Sequence, residues 1–315
     1  MKIFHHLADI PHDLGPTIVS VGNFDGVHRA HRAVVDEIVR RARAANAASM
    51  VVTFDPHPAS ILRPDHALKL ITPTYEKLRL LQQTGLDAVL LLPFSRDLSL
   101  MSPHQFAHDI LKKRLHTLEV HEGYNFHFGR GASGTVEVLR ELGRELGFVV
   151  HDYPEMRLRG ERVSSSHLRK LLSEGRVSRA RHLLGRPFSI LSTPGRGRGY
   201  GAKYTVPTIN LARYEELIPK DGVYITRTRI GSGDDAECFD SVTNVGNRPT
   251  FGADSFAIES HLLNFHPLQL TADTEVELHF LQRLRDEIKF PSIDALREQI
   301  TRDVQKASKY LRRLK

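Results

Sequence analysis

The apolar run Ile18-Val19-Ser20-Val21 has the β-branched character of a buried strand. The chain leaves it through Gly22-Asn23-Phe24-Asp25-Gly26-Val27-His28-Arg29-Ala30-His31 and enters Val34-Val35-Asp36-Glu37-Ile38-Val39, where apolar residues recur at helical spacing. A strand that becomes a helix across one short loop commits this part of the chain to an α/β unit. The unpaired N–H groups and positive dipole end of that helix favour an anion beside His28 and His31, and Gly22 and Gly26 let backbone approach a ligand closely. Imidazoles at i and i+3 point to one side and can both donate to phosphate oxygens. The same spacing suits a metal pair, or two solvated residues on a first turn. Zinc would need further ligands, and the one cysteine, Cys238, is far along the chain.

From Thr17 to about Leu184 the pattern alternates. Strands are expected at Val19–Gly22, Met50–Phe54, Ala88–Leu92 and Leu118–His121, and helices near Arg32–Ala44, Thr74–Gln83, Pro103–Lys113 and Val136–Leu146. Such alternation predicts a parallel sheet with helices on both faces, whose ligands bind beyond the strand C-termini. The histidine loop falls on that edge, as does Thr53-Phe54-Asp55-Pro56-His57-Pro58, where two prolines end a strand. After Leu184 the texture changes. Gly185-Arg186-Pro187 breaks a helical pattern, a Gly-rich stretch runs from Pro194 to Gly201, and alternating runs follow at Val223–Thr226, Ser241–Val245, Phe256–Leu262 and Glu275–Phe280. These predict a small antiparallel barrel with a closing helix from Ile293 to about Leu311. The expected domains are residues 1–185 and 186–315.

Composition narrows the partners. The 315 residues are 40% apolar and 26% charged, as in a globular protein with room for two cores. One cysteine excludes a disulfide scaffold, and the lack of a leader pattern or of an apolar span of about 18 residues argues for a cytoplasmic protein without a membrane partner. The net charge of +7 is spread along the chain and interleaved with acids, as in Arg140-Glu141-Leu142-Gly143-Arg144-Glu145, with no run of five basic residues. No nucleic-acid partner is expected, although charge alone does not separate a nucleotide from a polynucleotide.

Val163-Ser164-Ser165-Ser166-His167-Leu168-Arg169 opens another helical pattern. Hydroxyls at a helix start with an arginine one turn in make an anion site, or an ordinary serine cap beside a surface arginine. Together with the histidine loop, this segment resembles nucleotidyltransferases that carry a His-x-x-His motif and a Ser-Ser-Thr-type loop. More narrowly, the whole chain resembles the bacterial bifunctional riboflavin kinase/FMN adenylyltransferase (FAD synthase) family. The further matching segments are Thr53 to Pro58, Gly123-Tyr124-Asn125-Phe126-His127-Phe128-Gly129, Val206-Pro207-Thr208-Ile209-Asn210-Leu211, Asp221-Gly222-Val223-Tyr224, Asn244 to Phe251 and Ile258-Glu259-Ser260-His261-Leu262, in the family's order.

The resemblance implies a Rossmann-like nucleotidyltransferase domain followed by a riboflavin kinase barrel, with ATP, riboflavin, FMN and FAD as ligands and Mg²⁺ as cofactor. In the first domain it implies that the phosphate of FMN attacks the α-phosphorus of ATP. His28 and His31 are then the catalytic donors, and Gly22, Asn23, Phe24, Asp25, Ser164, Ser165, Ser166 and Arg169 hold ATP. Asn125 and His57 fall on the flavin side. For His57 a plain turn residue fits as well, and for Phe126 and Phe128 core packing does. In the second domain the resemblance implies Glu259 as general base, Thr208 and Asn210 on the metal, and backbone at Gly199 and Gly201 around phosphates. On spacing alone an isolated Glu such as Glu259 is usually a solvated strand residue, so the role rests on the family motif.

Three departures stand out. Ala30 occupies a position where the family has Gly, and a positive φ there would weaken adenylylation. Ser166 replaces Thr and keeps the hydroxyl. The stretch from Asn264 to Thr271 differs from the family on what the resemblance makes the flavin side. Two other readings remain at this level: a flavin- or nucleotide-binding regulator with impaired catalysis, and an enzyme that retains one of the two activities.

Overall fold

The computed structural model describes residues 1–66, 68–195, 208–247, 256–266, 268 and 270–314. The chain divides into two compact units, Met1–Ser165 and Ser166–Lys315.

In the first unit, β1 (Lys2–Phe4), β2 (Thr17–Val21), β3 (Ala48–Phe54), β4 (Ala88–Leu92), β5 (Thr117–Gly123) and β6 (Val149–Tyr153) form one sheet ordered β1-β4-β3-β2-β5-β6. Every neighbouring pair is parallel. The connections are α1 (Arg29–Ala44), α2 (Pro58–Leu62), α3 (Thr74–Gln82), α4 (Arg96–Leu100), α5 (Pro103–Gln105), which widens into π-helical turns over Phe106–Arg114, and α6 (Val136–Leu146). Alternate strand residues feed two cores. Val19, Met50, Val52, Leu90 and Val120 meet Ile110, Leu111 and Leu139 on one face, while Ile18, Val51 and Val89 meet Val35, Ile38, Leu80 and Leu81 on the other. Strands β2 and β4 are buried along their whole length, which explains why they read as unbroken apolar runs.

Strand order reverses beside β2. The chain steps outward to β3 and β4, then returns to place β5 on the other side of β2. The crevice beyond the carboxyl ends of β2 and β5 is the topological switch point, where open α/β sheets bind ligands. Edge strands β1 and β6 and the hairpin β7 (Arg157–Leu158) with β8 (Glu161–Arg162) were not expected from sequence. No residue of β6 is fully buried, so it carries too little apolar pattern to announce a strand. A polar network fastens α1 to this side of the sheet. Arg41 donates from Nε to Glu119 Oε2 at 2.5 Å and from Nη2 to Oε1 at 3.0 Å, which, with help from His121, holds the Glu119 carboxyl at about 2.

In the second unit α7 (Ser165–Ser173, of which only Ser165 belongs to the first unit) and α8 (Val177–Leu184) precede the strands. These are β9 (Phe188–Ser192), β10 (Thr208–Asn210), β11 (Gly222–Ile230), β12 (Glu237–Asn247), β13 (Phe256–Leu262) and β14 (Val276–Arg285), antiparallel in the order β10-β13-β12-β11-β14-β9. The edges meet. Pro194 bridges Leu211, Gly195 N donates to Asn210 O at 2.8 Å and Ala212 N to Thr193 O at 2.8 Å, which closes the sheet into the expected barrel. One sheet face carries five buried hydroxyls, Thr226, Thr228, Ser241, Thr243 and Ser260, hydrogen-bonded to one another at 2.7 to 3.0 Å. The other carries Val223, Ile225 and Val242 against Ala307 and Leu311 of the C-terminal helix Ile293–Arg312.

That helix is locked to β14 by Asp303, 2% exposed, which accepts from Arg285 Nε at 2.9 Å and from Gln299 Nε2 at 2.9 Å. Removing the carboxylate leaves a partly buried guanidinium without its counter-charge. Asp303→Ala is expected to destabilise the second unit by about 3 kcal/mol, read from the midpoint of its denaturant transition, and Asp303→Asn by less.

Candidate active sites

In the first unit the loop after β2 turns sharply, with Phe24 at φ 49°, Gly26 at φ 86° and Val27 at φ 36°. A left-handed φ is costly for bulky Phe and β-branched Val, so the surroundings must enforce it. Asp25 supplies much of that enforcement. It is 3% exposed, its carboxylate accepts from Ile71 N at 3.2 Å and Thr72 N at 3.0 Å, and its carbonyl accepts from Ser165 Oγ at 2.9 Å across 140 residues of chain. The serine segment and the histidine loop, separate in sequence, therefore meet at Asp25.

His28 is the N-cap of α1 and is 4% exposed. Its Nδ1 accepts from His31 N at 3.3 Å, so the neutral ring carries its proton on Nε2. The His28 and His31 rings stack at 3.6 Å between centroids with 16° between planes, and Phe24 lies against His31 at 5.0 Å. Two imidazoles thus stand together at a helix N-terminus, the arrangement that suits an anion. Ala30 lies within α1 and is not among the residues with positive φ, so its methyl meets no backbone strain.

Two buried ionisable groups flank this loop, and sequence reasoning singled out neither. Glu122, 3% exposed near the end of β5, accepts from Val21 N at 2.6 Å. The β2–β5 register extends only to Val19 opposite Val120, so the side chain supplies the partner that the ladder lacks. Burial pushes its carboxyl well above the usual range, with the Val21 N–H opposing. Lys77 on α3 is 5% exposed, and its Nζ donates to Thr53 Oγ1 at 3.1 Å, Asn23 O at 3.4 Å and Phe54 O at 3.4 Å. Burial pushes the ammonium down, while Asp25 and Asp55 pull it up. A sequence signal for Lys77 did exist: with Leu80 and Leu81 it falls at i, i+3 and i+4 on the buried stripe of α3.

In the second unit the barrel register assembles the other constellation. Asn210 pairs with Glu259 and Thr208 with His261 across β10 and β13, while Asn244 pairs with Glu259 across β12 and β13. Directly opposite residues share a sheet face. Thr208, Asn244, Glu259 and His261 line one wall of a cavity of about 310 Å³, whose other walls include Arg285, Ile288, Phe290, Leu296 and Ile300. Asn244 Nδ2 donates to Glu287 Oε1 at 3.2 Å. An acid, a hydroxyl and an amide on one wall of a cavity that also presents Ile288, Phe290, Leu296 and Ile300 can receive a hydroxyl-bearing ring substrate.

Residues 10–167 match the FAD synthetase family and residues 184–311 the riboflavin kinase family. The bifunctional riboflavin kinase/FMN adenylyltransferase of Escherichia coli (strain K12) is 32% identical, with 95% of this chain and 93% of that one covered. The chain belongs to the bifunctional riboflavin kinase/FMN adenylyltransferase family. The Pseudomonas fluorescens protein of that name is 34% identical, covering 93% of this chain and 94% of its own. A solved Streptococcus pneumoniae chain described as a macrolide-efflux protein has a TM-score of 0.85 at 25% identity, covering 96% and 97%. It shares the fold. No described helix of the present chain is long and apolar enough to cross a membrane.

Members of the bifunctional riboflavin kinase/FMN adenylyltransferase family run two ATP-dependent reactions, and the two units of this one carry one constellation each. Gly22, Asn23, Phe24, Asp25 and His28 lie together on the loop between β2 and α1, His31 follows in the first turn of α1, and Ser165 joins the loop at Asp25. Ser164 precedes α7, whereas Ser166 and Arg169 lie on that helix within the second compact unit. His57 caps α2, its Nδ1 accepting from Ala59 N at 3.1 Å. Asn125 is exposed on the turn after β5. Phe128 belongs to the core with Phe126 packed on it, so both aromatics serve packing. Gly199 and Gly201 lie outside the described residues. Within the stretch that departs from the family, Phe265 packs on Phe239 and His266 Nε2 stands 2.8 Å from Glu237 Oε2. None of its described residues lines the cavity.

One cluster among the described residues has metal-ligand character: Glu119, His121 and His151, with donor atoms within 4.8 Å of one another. Arg41 already forks onto both Glu119 oxygens, which makes this an ion-pair network rather than a vacant cation site. Glu122 permits a test by pH. Its raised folded pKa means that its contribution to stability is full below the unfolded value and lost as pH rises through the folded one. Glu122→Gln keeps an acceptor for Val21 N and cannot ionise. Its melting temperature is expected to match the parent near pH 4.5 and to exceed it increasingly towards alkaline pH.

Proposed function

We propose that the first unit adenylylates FMN in the crevice beyond β2 and β5, and that the second phosphorylates riboflavin in the cavity beside Glu259. Riboflavin thus becomes FMN and then FAD. In the first step the ribityl hydroxyl attacks the γ-phosphorus of ATP, Glu259 takes the hydroxyl proton, and the bond to the β,γ-bridging oxygen breaks so that ADP leaves. In the second an oxygen of the FMN phosphate attacks the α-phosphorus of a second ATP, and pyrophosphate leaves. No proton need move at the nucleophile, so fixed donors matter more than a base. His28 and His31 meet the charge that grows on the α-phosphoryl oxygens, and the Ser164 hydroxyl and the backbone N–H of Ser165 hold the phosphates, the Ser165 hydroxyl being donated to Asp25. Ser166 and Arg169 are assigned to the same ATP by the sequence motif, and His57 and Asn125 to the flavin.

Thr208 and Asn210 offer hard oxygen donors two residues apart on one strand face, a set that fits Mg²⁺. When bound, the ion neutralises charge on the ATP phosphates. The domain division proposed is residues 1–185 and 186–315: the second family match begins at 184 and the barrel at Phe188, whereas the first match ends at 167 and the compact units divide at Ser165, so α7 and α8 are the segment on which the two divisions differ. The cytoplasm, where ATP is made, is the proposed place of work.

The observation that carries the reading is the Ser165 Oγ bond to the Asp25 carbonyl, which joins two motifs far apart in sequence at the switch-point edge. Purified protein given riboflavin, ATP and Mg²⁺ is expected to form FMN and then FAD when products are separated by chromatography at successive times. His28→Ala should stop FAD while FMN still accumulates. Glu259→Gln should slow FMN formation by about 100-fold or more and leave conversion of supplied FMN intact. Loss of both activities in either folded variant would refute the two-site assignment.

A further inference from the structure

The side chain of Lys77 is the least expected feature of the first unit. Burying an ammonium is costly, and an apolar side chain of similar length would fill the space at lower cost. All three of its acceptors are uncharged: the Asn23 carbonyl, the Thr53 hydroxyl and the Phe54 carbonyl. Asn23 belongs to the loop that runs on to His28, whereas Thr53 and Phe54 end β3. One group therefore ties the histidine loop to the neighbouring strand end.

The tie is reciprocal. Asp25 of the histidine loop accepts from Ile71 N and Thr72 N just before α3, and Asp55, after β3, accepts from Thr74 Oγ1 at 3.1 Å on its first turn. Acids from both loops thus hold the start of α3, and Lys77, about one turn further on, reaches back to the same loops. The Asp25 and Asp55 carboxylates favour the charged form of Lys77 against its burial, and the ammonium in turn offsets their negative charge at the edge where the proposed reaction brings the triphosphate and the FMN phosphate. In a water-poor site such a charge acts more strongly than it would in bulk solvent.

We propose that Lys77 is a positioning residue for adenylyl transfer: it sets the geometry of the Asn23 to His28 loop and supplies a fixed positive charge that strengthens the crevice's hold on the pyrophosphate moiety. The inference rests on the assignment of adenylylation to this loop. A purely structural lysine would be replaceable by methionine without effect on anion affinity.

The full-length protein and its Lys77→Met and Lys77→Arg variants are compared in three measurements: kcat and KM for FAD formation from FMN and ATP, FMN formation from riboflavin, and pyrophosphate binding by calorimetry. Lys77→Met is expected to lower kcat for FAD formation by about 100-fold and to weaken pyrophosphate binding, with FMN formation unchanged. Lys77→Arg is expected to recover most of the pyrophosphate affinity. A methionine variant with parental kcat and pyrophosphate affinity would overturn the proposal. So would equal loss of kcat in both variants with parental pyrophosphate affinity, because that is the signature of packing alone. If the methionine variant loses the unfolding transition of the first unit, the arginine variant decides: retained affinity supports the role of charge, and lost affinity refutes it. A parent protein that forms no FAD would count against the proposed function, while pyrophosphate affinity in the variants would still judge Lys77.

Discussion

Asp25 is the point on which the first site depends. A single buried residue gives its carboxylate to the backbone that leads into α3 and its carbonyl to Ser165, and the chain around it adopts left-handed turns that Phe24 and Val27 would not choose unaided. Three segments distant in sequence are located by one side chain and its own peptide group. Because these bonds are buried and go mostly to backbone, they fix position rather than side-chain identity.

The two units solve the same problem with different geometry. In the first, a parallel sheet has its switch point beside β2, and the site is built from loops that leave the strands. Precision there has to come from buried bonds such as those of Asp25, Glu122 and Lys77. In the second, Asn210, Glu259 and Asn244 lie on neighbouring strands in register, and the ladder itself sets their spacing. The hydroxyl network on the opposite face stiffens these strands, with Ser260 next to Glu259 bonded to both Thr228 and Thr243.

Much of this was legible beforehand because local pattern reports local structure. The unbroken apolar runs of β2 and β4 mark strands covered on both faces, and the alternation after Leu184 marks a sheet with distinct faces. The cap at His28 follows from the helical pattern beginning beside it. Edge strand β6 escaped notice because it is only partly buried. Lys77 shares the buried stripe of α3 with Leu80 and Leu81, but that spacing does not say which acceptors a buried ammonium finds. The serine segment fits a helix cap or an anion site by pattern, and neither specifies the bond that Ser165 makes to Asp25.

The amino-acid sequence by itself determined that two units follow one another, that one alternates strand and helix while the other is antiparallel, and where the motifs shared with the family lie. Those properties rest on periodicity and on residue type, which act over a few neighbours. Tertiary structure alone decided that the serine segment meets the histidine loop at Asp25, that Glu122 completes β2, that Lys77 braces two loops, and that β9 and β10 close the barrel. Each is a contact between segments far apart along the chain, made by polar atoms whose partners no local pattern specifies, and only the packed fold brings them within hydrogen-bonding distance.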